Sequence, residues 1–210
     1  MPVPTRGSRT LTRPIRLVVA LDESGSTACS DPSRQSHEAL LELCEWIATH
    51  SGDSRDRIGL VRFADRADSV PPVVAAKART VLEQQLLAPA DVGGGTRLTP
   101  AVDALCGELR RGVARGVAVV ITDGQVAESD GELREMFARL RAAGDAVYVV
   151  GLDHDGAWSR GTYARYSGLG LSGTVAIGAL TRAQLAHALA TLLMAETGLR
   201  PRRGWGRRGR

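Results

Sequence analysis

Two nearly continuous apolar runs, Ile15–Leu21 and Val117–Thr122, constrain the fold of this 210-residue chain more than any other feature. Neither run alternates between apolar and polar residues, so each predicts a strand that is buried on both faces. Only 4% of the residues are aromatic while 43% are hydrophobic, so Val, Leu, Ile and Ala must form most of the core. This composition suits a parallel sheet that is covered by helices on both sides.

Strand and helix patterns alternate along the rest of the chain. Strands are predicted at 15–21, 58–63, 69–74, 117–122, 146–150 and 174–177. Helices are predicted at about 34–50, 75–87, 99–109, 132–143 and 181–197, with a short helical patch near 157–166. Thr99 and Thr181 are the predicted N-caps of two of these helices, and Pro71 and Pro72 restrict their strand to an edge. The order predicts an α/β fold with a doubly wound parallel sheet.

The positive charge is concentrated at the two ends of the chain. Residues 1–20 hold four arginines and residues 200–210 hold six, without any acidic residue, and the body between them has a formal charge of −6. We therefore divide the chain into a basic arm (1–13), one domain (14–198) and an Arg/Gly-rich tail (199–210) that is too charged to fold alone. The three widely spaced cysteines, the lack of a membrane-length apolar run and the polar start favour a cytoplasmic protein.

Three polar segments follow or precede the buried strands at one edge of the predicted sheet. Asp22-Glu23-Ser24-Gly25-Ser26 follows the first strand, and Thr122-Asp123-Gly124 ends the 117–122 strand. Gly93-Gly94-Gly95-Thr96 comes from the loop before an intervening helix. In a doubly wound sheet, ligands bind outside the carboxyl ends of the strands, where the winding reverses. We therefore expect the three segments to meet in that crevice.

These segments together predict a site for a hard divalent cation. Carboxylate and hydroxyl oxygens are the ligands that such ions prefer, and Mg²⁺ usually keeps part of its octahedral shell for exchangeable ligands. Mn²⁺ or Ca²⁺ could replace Mg²⁺. The predicted ligands are Asp22, Ser24, Ser26, Thr96 and Asp123.

The same residues resemble the metal-ion-dependent adhesion site of von Willebrand factor A-type (VWA) domains, whose motif is D-x-S-x-S, then a threonine, then an aspartate. The resemblance covers about residues 14–197. It implies a Rossmann-like, mostly parallel six-stranded sheet with one antiparallel edge strand. It also implies a noncatalytic module in which a partner's Glu or Asp completes the metal's coordination, and a last helix that could shift on binding. Some bacterial members work alongside MoxR-type AAA+ ATPases. Thr27 stands where many members carry an apolar residue, without an expected effect on the metal.

Two other functional classes remain as alternatives. A Mg²⁺-dependent phosphatase-like hydrolase on a similar sheet lacks support, because Ser24 stands where a D-x-D motif needs its second acid. The Gly168–Gly173 stretch spells G-x-G-x-x-G but leads into a predicted strand, so it is interpreted as a loop. Alternatively, the domain is a scaffold and the basic arms bind nucleic acid through arginines and Trp205.

Two further features of the sequence are not assigned to the site. Asp153-His154-Asp155 is a tempting second metal cluster, but adjacent residues cannot all face one ion, so we favour a solvated loop. Glu23, the extra acid of the first segment, is expected to face outward and to tune the approach of a partner.

Overall fold

A computed structural model describes residues 13–50, 53–89, 92–110, 114–153, 160–178 and 181–197. The strands of this part are β1 (Ile15–Asp22), β2 (Arg57–Phe63), β3 (Ala67–Val74), β4 (Arg115–Thr122), β5 (Ala146–Asp153) and β6 (Gly173–Gly178). Its helices are α1 (Gly25–Ser30), α2 (Gln35–His50), α3 (Ala75–Leu87), α4 (Leu98–Leu109), α5 (Asp130–Ala143), α6 (Arg160–Ser167) and α7 (Arg182–Thr197). Residues 1–12 of the basic arm and the whole Arg/Gly-rich tail lie outside the described residues.

The six strands form one mixed sheet in the order β3-β2-β1-β4-β5-β6. Every neighbouring pair is parallel except β2 and β3, so the antiparallel strand is the proline-containing edge strand. The predicted α/β class, with a mostly parallel sheet and one antiparallel edge strand, is confirmed. The winding reverses between β1 and β4, which places the carboxyl ends of these two strands on either side of the crevice.

The buried strands explain the apolar runs of the sequence. Successive side chains of β1 point to opposite faces of the sheet: Leu17, Val19 and Leu21 pack with α2, α3 and α7. Val18 and Ala20 pack on the other face with α4, α5 and α6. Because both faces are covered, apolar residues are required at successive positions of the strand.

Three local details differ from the sequence predictions: the start of α4, the start of α5, and the presence of one additional helix, α1. The predicted cap Thr99 is wrong, because α4 begins at Leu98 and its N-cap is Arg97, which makes no side-chain capping bond. The short helix α1 was not predicted. Helix α5 begins at Asp130 behind a capping box formed by Ser129 and Glu132. The prediction for Thr181 is confirmed, because its hydroxyl accepts the Gln184 N–H at 3.2 Å.

Candidate metal centre

The crevice between β1 and β4 holds two buried carboxylates. Asp22 ends β1 and Asp123 directly follows β4, and each is 1% exposed. Asp22 Oδ2 accepts a hydrogen bond from the Thr122 hydroxyl at 2.6 Å, which joins the ends of the two strands. The structure therefore brings Asp22 and the Thr122–Asp123 segment to one place, because β1 and β4 are parallel neighbours that end together.

The two serines of the first segment lie around the Asp22 carboxylate. Asp22 Oδ1 accepts the Ser24 N–H at 2.9 Å, a local turn that keeps the chain close to the strand end. The hydroxyls of Ser24 and Ser26 lie 3.1 Å apart, and Ser24 Oγ also lies 3.2 Å from the Thr27 hydroxyl. Thr27, the departure from the family pattern, thus adds a hydroxyl to this cluster, a contact that was not predicted from the sequence.

The glycine loop approaches from the other side. Gly94 O accepts the Gly25 N–H at 3.3 Å, and Thr96 O accepts the Ala127 N–H at 3.0 Å. The backbone of the loop is thereby linked to the serine segment and to the segment after Asp123. These bonds bring the backbone of the third predicted segment beside the other two.

Asp65 explains why this loop contains glycines. Its Oδ2 accepts the N–H groups of Gly94 and Gly95 at 3.1 and 2.9 Å. A Cβ atom on Gly95 would lie 2.2 Å from Asp65 Oδ1, and one on Gly93, whose φ is +88°, would lie 2.7 Å from Oδ2. The loop can wrap around the carboxylate only because these side chains are missing.

The site carries negative charge that the described residues do not neutralise. Asp123 Oδ1 accepts the Gln125 N–H at 2.9 Å, but Oδ2 is buried and has no hydrogen-bond partner within the described part of the chain. In the same part, neither Asp22 nor Asp123 pairs with an arginine, lysine or histidine. Burial raises the pKa of Asp22 against the lowering effect of its hydrogen bonds, and the Asp123 charge raises it further.

The donor set fits a hard cation better than a soft one. Two carboxylates and the hydroxyls beside them offer oxygen atoms only. Over the described residues, His, Cys, Asp and Glu side chains form no group of three that could hold a metal. Any ion in this crevice would therefore depend on hydroxyl ligands in addition to the two carboxylates.

The expectation that Glu23 faces outward is wrong. Side chains alternate at the end of β1, so Glu23 projects to the face opposite Asp22, where its side chain is 14% exposed. It accepts two hydrogen bonds of 2.7 Å from Arg62 and lies 3.3 Å from His37 Nε2. Burial by itself would raise the Glu23 pKa, but the bonds from His37 and Arg62 outweigh it and the pKa is lowered.

Three buried or anchoring residues near the site were missed from the sequence. Asp65 lies two residues past the end of β2, at the same edge of the sheet as Asp123, so the rule about strand ends could have found it. Glu128 is 5% exposed and accepts both the N–H and the hydroxyl of Thr99 at 2.9 Å, which explains why Thr99 is not a cap. Tyr166 is fully buried, and burial raises its pKa, to which the charges of Asp22, Glu128 and Asp123 contribute.

The Asp153-His154-Asp155 segment lies mostly outside the described residues. Asp153 ends β5 and is half-buried, while His154 and Asp155 lie outside the described residues. Gly168–Gly173 leads into β6, as predicted, so it does not open a helix that could cradle a phosphate.

None of the helices in the described ranges has the length and apolarity needed to cross a membrane.

Comparisons with known proteins identify the class of protein that this fold and crevice define. The family model of the von Willebrand factor type A domain matches residues 17–164. The chain therefore belongs to the von Willebrand factor type A domain family. Domains of this family are generally noncatalytic modules that bind protein ligands. A search of curated proteins finds no significant match.

Solved structures of related fold include two from Bacteroides. An aerotolerance-related membrane protein from Bacteroides fragilis is 18% identical with a TM-score of 0.65, and the match covers 86% of this chain and 99% of that one. BatB from Bacteroides thetaiotaomicron is 20% identical with a TM-score of 0.63, covering 87% and 100% of the two chains.

A third similar structure is proximal thread matrix protein 1 from the mussel byssus, with a zinc-occupied MIDAS (metal-ion-dependent adhesion site) motif. It is 14% identical with a TM-score of 0.63, covering 87% of this chain and 48% of that one. At these identities the likeness to all three structures shows the fold alone.

Proposed function

We propose that this chain is a noncatalytic protein-binding module that captures an acidic group of a partner protein through a divalent metal ion. The proposed ligands form an intact adhesion site of Asp22, Ser24, Ser26, Thr96 and Asp123. The observation that carries the proposal is Asp123 Oδ2, a buried carboxylate oxygen without a hydrogen-bond partner in the described residues, in the same crevice as buried Asp22.

Buried charge explains why this observation points to a cation. An ionised carboxylate without a compensating partner costs several kcal/mol when it leaves water. Here two carboxylates at neighbouring strand ends lack cationic partners among the described residues. A divalent ion would offset both charges, and the adjacent hydroxyls of Ser24 and Ser26 would complete part of its shell. Mg²⁺ suits such oxygen donors, and Mn²⁺ or Ca²⁺ could take its place.

The protein's own residues hold the ligands in place. Thr122 and the Ser24 N–H orient the Asp22 carboxylate, and Gln125 holds Asp123 Oδ1 while Oδ2 stays available. Asp65 fixes the glycine loop that leads to Thr96. When bound, the ion supplies the positive charge that attracts an external carboxylate. Five protein ligands would leave one octahedral position for a partner's Glu or Asp.

The comparisons support this proposal at the level of the family. The mussel protein has a zinc-occupied MIDAS motif, and the family as a whole binds protein ligands. We extend the proposal to a bacterial cytoplasmic setting with a MoxR-type AAA+ ATPase system as the place to search for the partner.

Calorimetric titration of Mg²⁺ into metal-free protein tests the site directly. Wild-type protein is expected to bind one ion, and Asp123→Asn to weaken binding more than about 100-fold, beyond what outer residues of metal sites usually contribute. Asp103→Asn is the matched control, because this carboxylate is 56% exposed on α4 and pairs with Arg139. Equal affinities for the wild type and Asp123→Asn would contradict the proposal.

Partner capture provides the second arm of the test. Capture by the wild type is expected to disappear in EDTA and in Asp22→Ala, while Asp103→Asn retains it. A partner that binds equally well in EDTA would show that this surface acts without a metal.

A further inference from the structure

Arg62 is a buried cation at the carboxyl end of β2. Its side chain is only 2% exposed, and it follows Ile58 and Leu60 on the sheet face covered by α2 and α3. Four of its five N–H bonds have acceptors: Nε and Nη2 donate to Glu23 at 2.7 Å each. Nη1 donates to Gln85 O and Ala88 O, both at 2.8 Å.

The acceptors of Arg62 lie in one segment of the candidate metal centre and at the end of the helix that precedes another. Glu23 lies between Asp22 and Ser24 in the chain, and its N–H also donates to Phe63 O at 2.8 Å. Gln85 and Ala88 lie at the end of α3, from which the chain runs to the glycine loop and Thr96. One guanidinium therefore connects the segment that carries Asp22 and Ser24 with the end of α3, which precedes the glycine loop.

The geometry of the pair is suited to fixing a position. The guanidinium meets the carboxylate with two parallel bonds, which restrict orientation as well as distance. Lysine could not reproduce this arrangement, because it offers a single point charge on a flexible stem. Since Glu23 and Asp22 are adjacent and project to opposite faces of the sheet, holding Glu23 also limits rotation of the strand end that carries Asp22.

We infer that Arg62 and Glu23 are positioning residues of the metal centre, which hold the segments of Asp22, Ser24 and Thr96 at the spacing that a divalent cation requires. The inference rests on the proposed function, because it assumes that the crevice binds a metal. It adds a residue from β2, outside all the ligand segments, to the determinants of metal affinity.

Mg²⁺ affinity of folded variants tests this role. Arg62→Met and Glu23→Gln are each expected to weaken binding about tenfold, as is usual for residues that orient metal ligands. The double variant should also bind Mg²⁺ about tenfold more weakly than the wild type, and no more weakly than either single variant, because the two residues act as one unit. Arg62→Lys should recover only part of the affinity, since it keeps the charge without the fork.

Arg115→Met is the matched control for loss of stability. Arg115 also binds both a carboxylate and a carbonyl, those of Glu196, but at the amino end of β4, the opposite edge of the sheet. This variant should lower the melting temperature while leaving Mg²⁺ affinity within about twofold of wild type, because distant sites act independently.

The outcomes separate the inference from the proposed function. Tenfold losses in Arg62→Met and Glu23→Gln but not in Arg115→Met support the inference; wild-type affinity in the first two variants overturns it and leaves the metal centre intact. If Arg62→Met does not fold, Glu23→Gln, which keeps the shape of the side chain, decides alone. If the wild type binds no Mg²⁺, the proposed function fails and the inference fails with it.

Discussion

Asp123, at the carboxyl edge of the sheet, contrasts with two aspartates at the amino edge. At the amino edge, Asp56 and Asp145 directly precede β2 and β5, and each accepts the backbone N–H of a residue at the start of a neighbouring strand at 2.7 Å. These donors are Ile15 and Gly116. At the carboxyl edge, Asp123 keeps a buried oxygen without a hydrogen-bond partner in the described residues.

This difference separates carboxylates that stabilise the fold from a carboxylate that is available to bind a ligand. A carboxylate that accepts a strand N–H satisfies a donor that the sheet would otherwise leave unpaired, so it contributes to folding. A buried carboxylate oxygen without a donor destabilises the protein until something else binds to it. We therefore expect substitution of Asp123 and substitution of the amino-edge aspartates to have opposite effects on the free energy of unfolding.

The largest effect is expected for Asp56→Ala at the amino edge. Asp56 is 2% exposed, and its loss leaves the Ile15 N–H without its charged acceptor. The free energy of unfolding should fall by about 3 kcal/mol, the upper end for a charge-assisted hydrogen bond. Urea denaturation in EDTA, followed by circular dichroism, measures this loss. Asp68→Ala, at an exposed position of β3, is the control. Equal stability of the two variants would contradict a stabilising role for the Asp56 carboxylate.

Metal addition should stabilise only proteins with an intact carboxyl edge. At a Mg²⁺ concentration 100 times its Kd, the wild type should gain about 2.7 kcal/mol in the free energy of unfolding. Asp56→Ala should gain the same amount, because its damage lies at the other edge, and Asp123→Asn should gain none. Denaturation curves with Mg²⁺ and with EDTA provide the test. A reduced gain in Asp56→Ala would show that the two edges are coupled.

The position of the candidate site could be predicted from the sequence because it depends on local rules. Apolar runs locate β1 and β4, and residues that directly follow parallel strands meet at one edge. Asp22 and Asp123 are therefore found together, whatever the details of the helices. The proline pair in β3 likewise indicates an edge strand, since proline cannot donate to a neighbouring strand.

The errors arise where a distant partner decides the orientation of a side chain. The local sequence does not reveal the orientation of Glu23, because its partner Arg62 lies 39 residues away. Arg62 is the only charged residue of the predicted strand 58–63, and it is the available signal, because a buried guanidinium requires a carboxylate. Thr99 likewise resembles a cap in the local sequence, because its partner Glu128 is 29 residues distant. The six residues of α1 carry no helical periodicity that a pattern could detect.

A smaller and opposite effect is expected for Asp123→Asn without metal. Replacing this charge removes its repulsion of the buried Asp22 carboxylate, so the free energy of unfolding in EDTA should rise by about 1 kcal/mol. Asp145→Asn is the matched control at the amino edge, where the carboxylate accepts the Gly116 N–H and the same change should not stabilise. Urea denaturation of both variants in EDTA measures the difference. Destabilisation by Asp123→Asn would mean that its carboxylate is satisfied in the metal-free protein.

The smallest effect concerns thiol accessibility, which should also differ between the carboxyl edge and the core. Cys29 is exposed on α1, three residues past Ser26, whereas Cys44 is buried in α2 and burial raises the pKa of its thiol to about 12. At pH 8 only about one in ten thousand Cys44 thiols would be ionised, so Ellman's reagent should modify Cys29 first and Cys44 only after unfolding. Cys29→Ser should abolish the fast phase while changing stability by less than about 0.5 kcal/mol, as for surface substitutions generally. A fast phase that persists in this variant would place a reactive thiol elsewhere and remove the distinction between an accessible carboxyl edge and a sealed core.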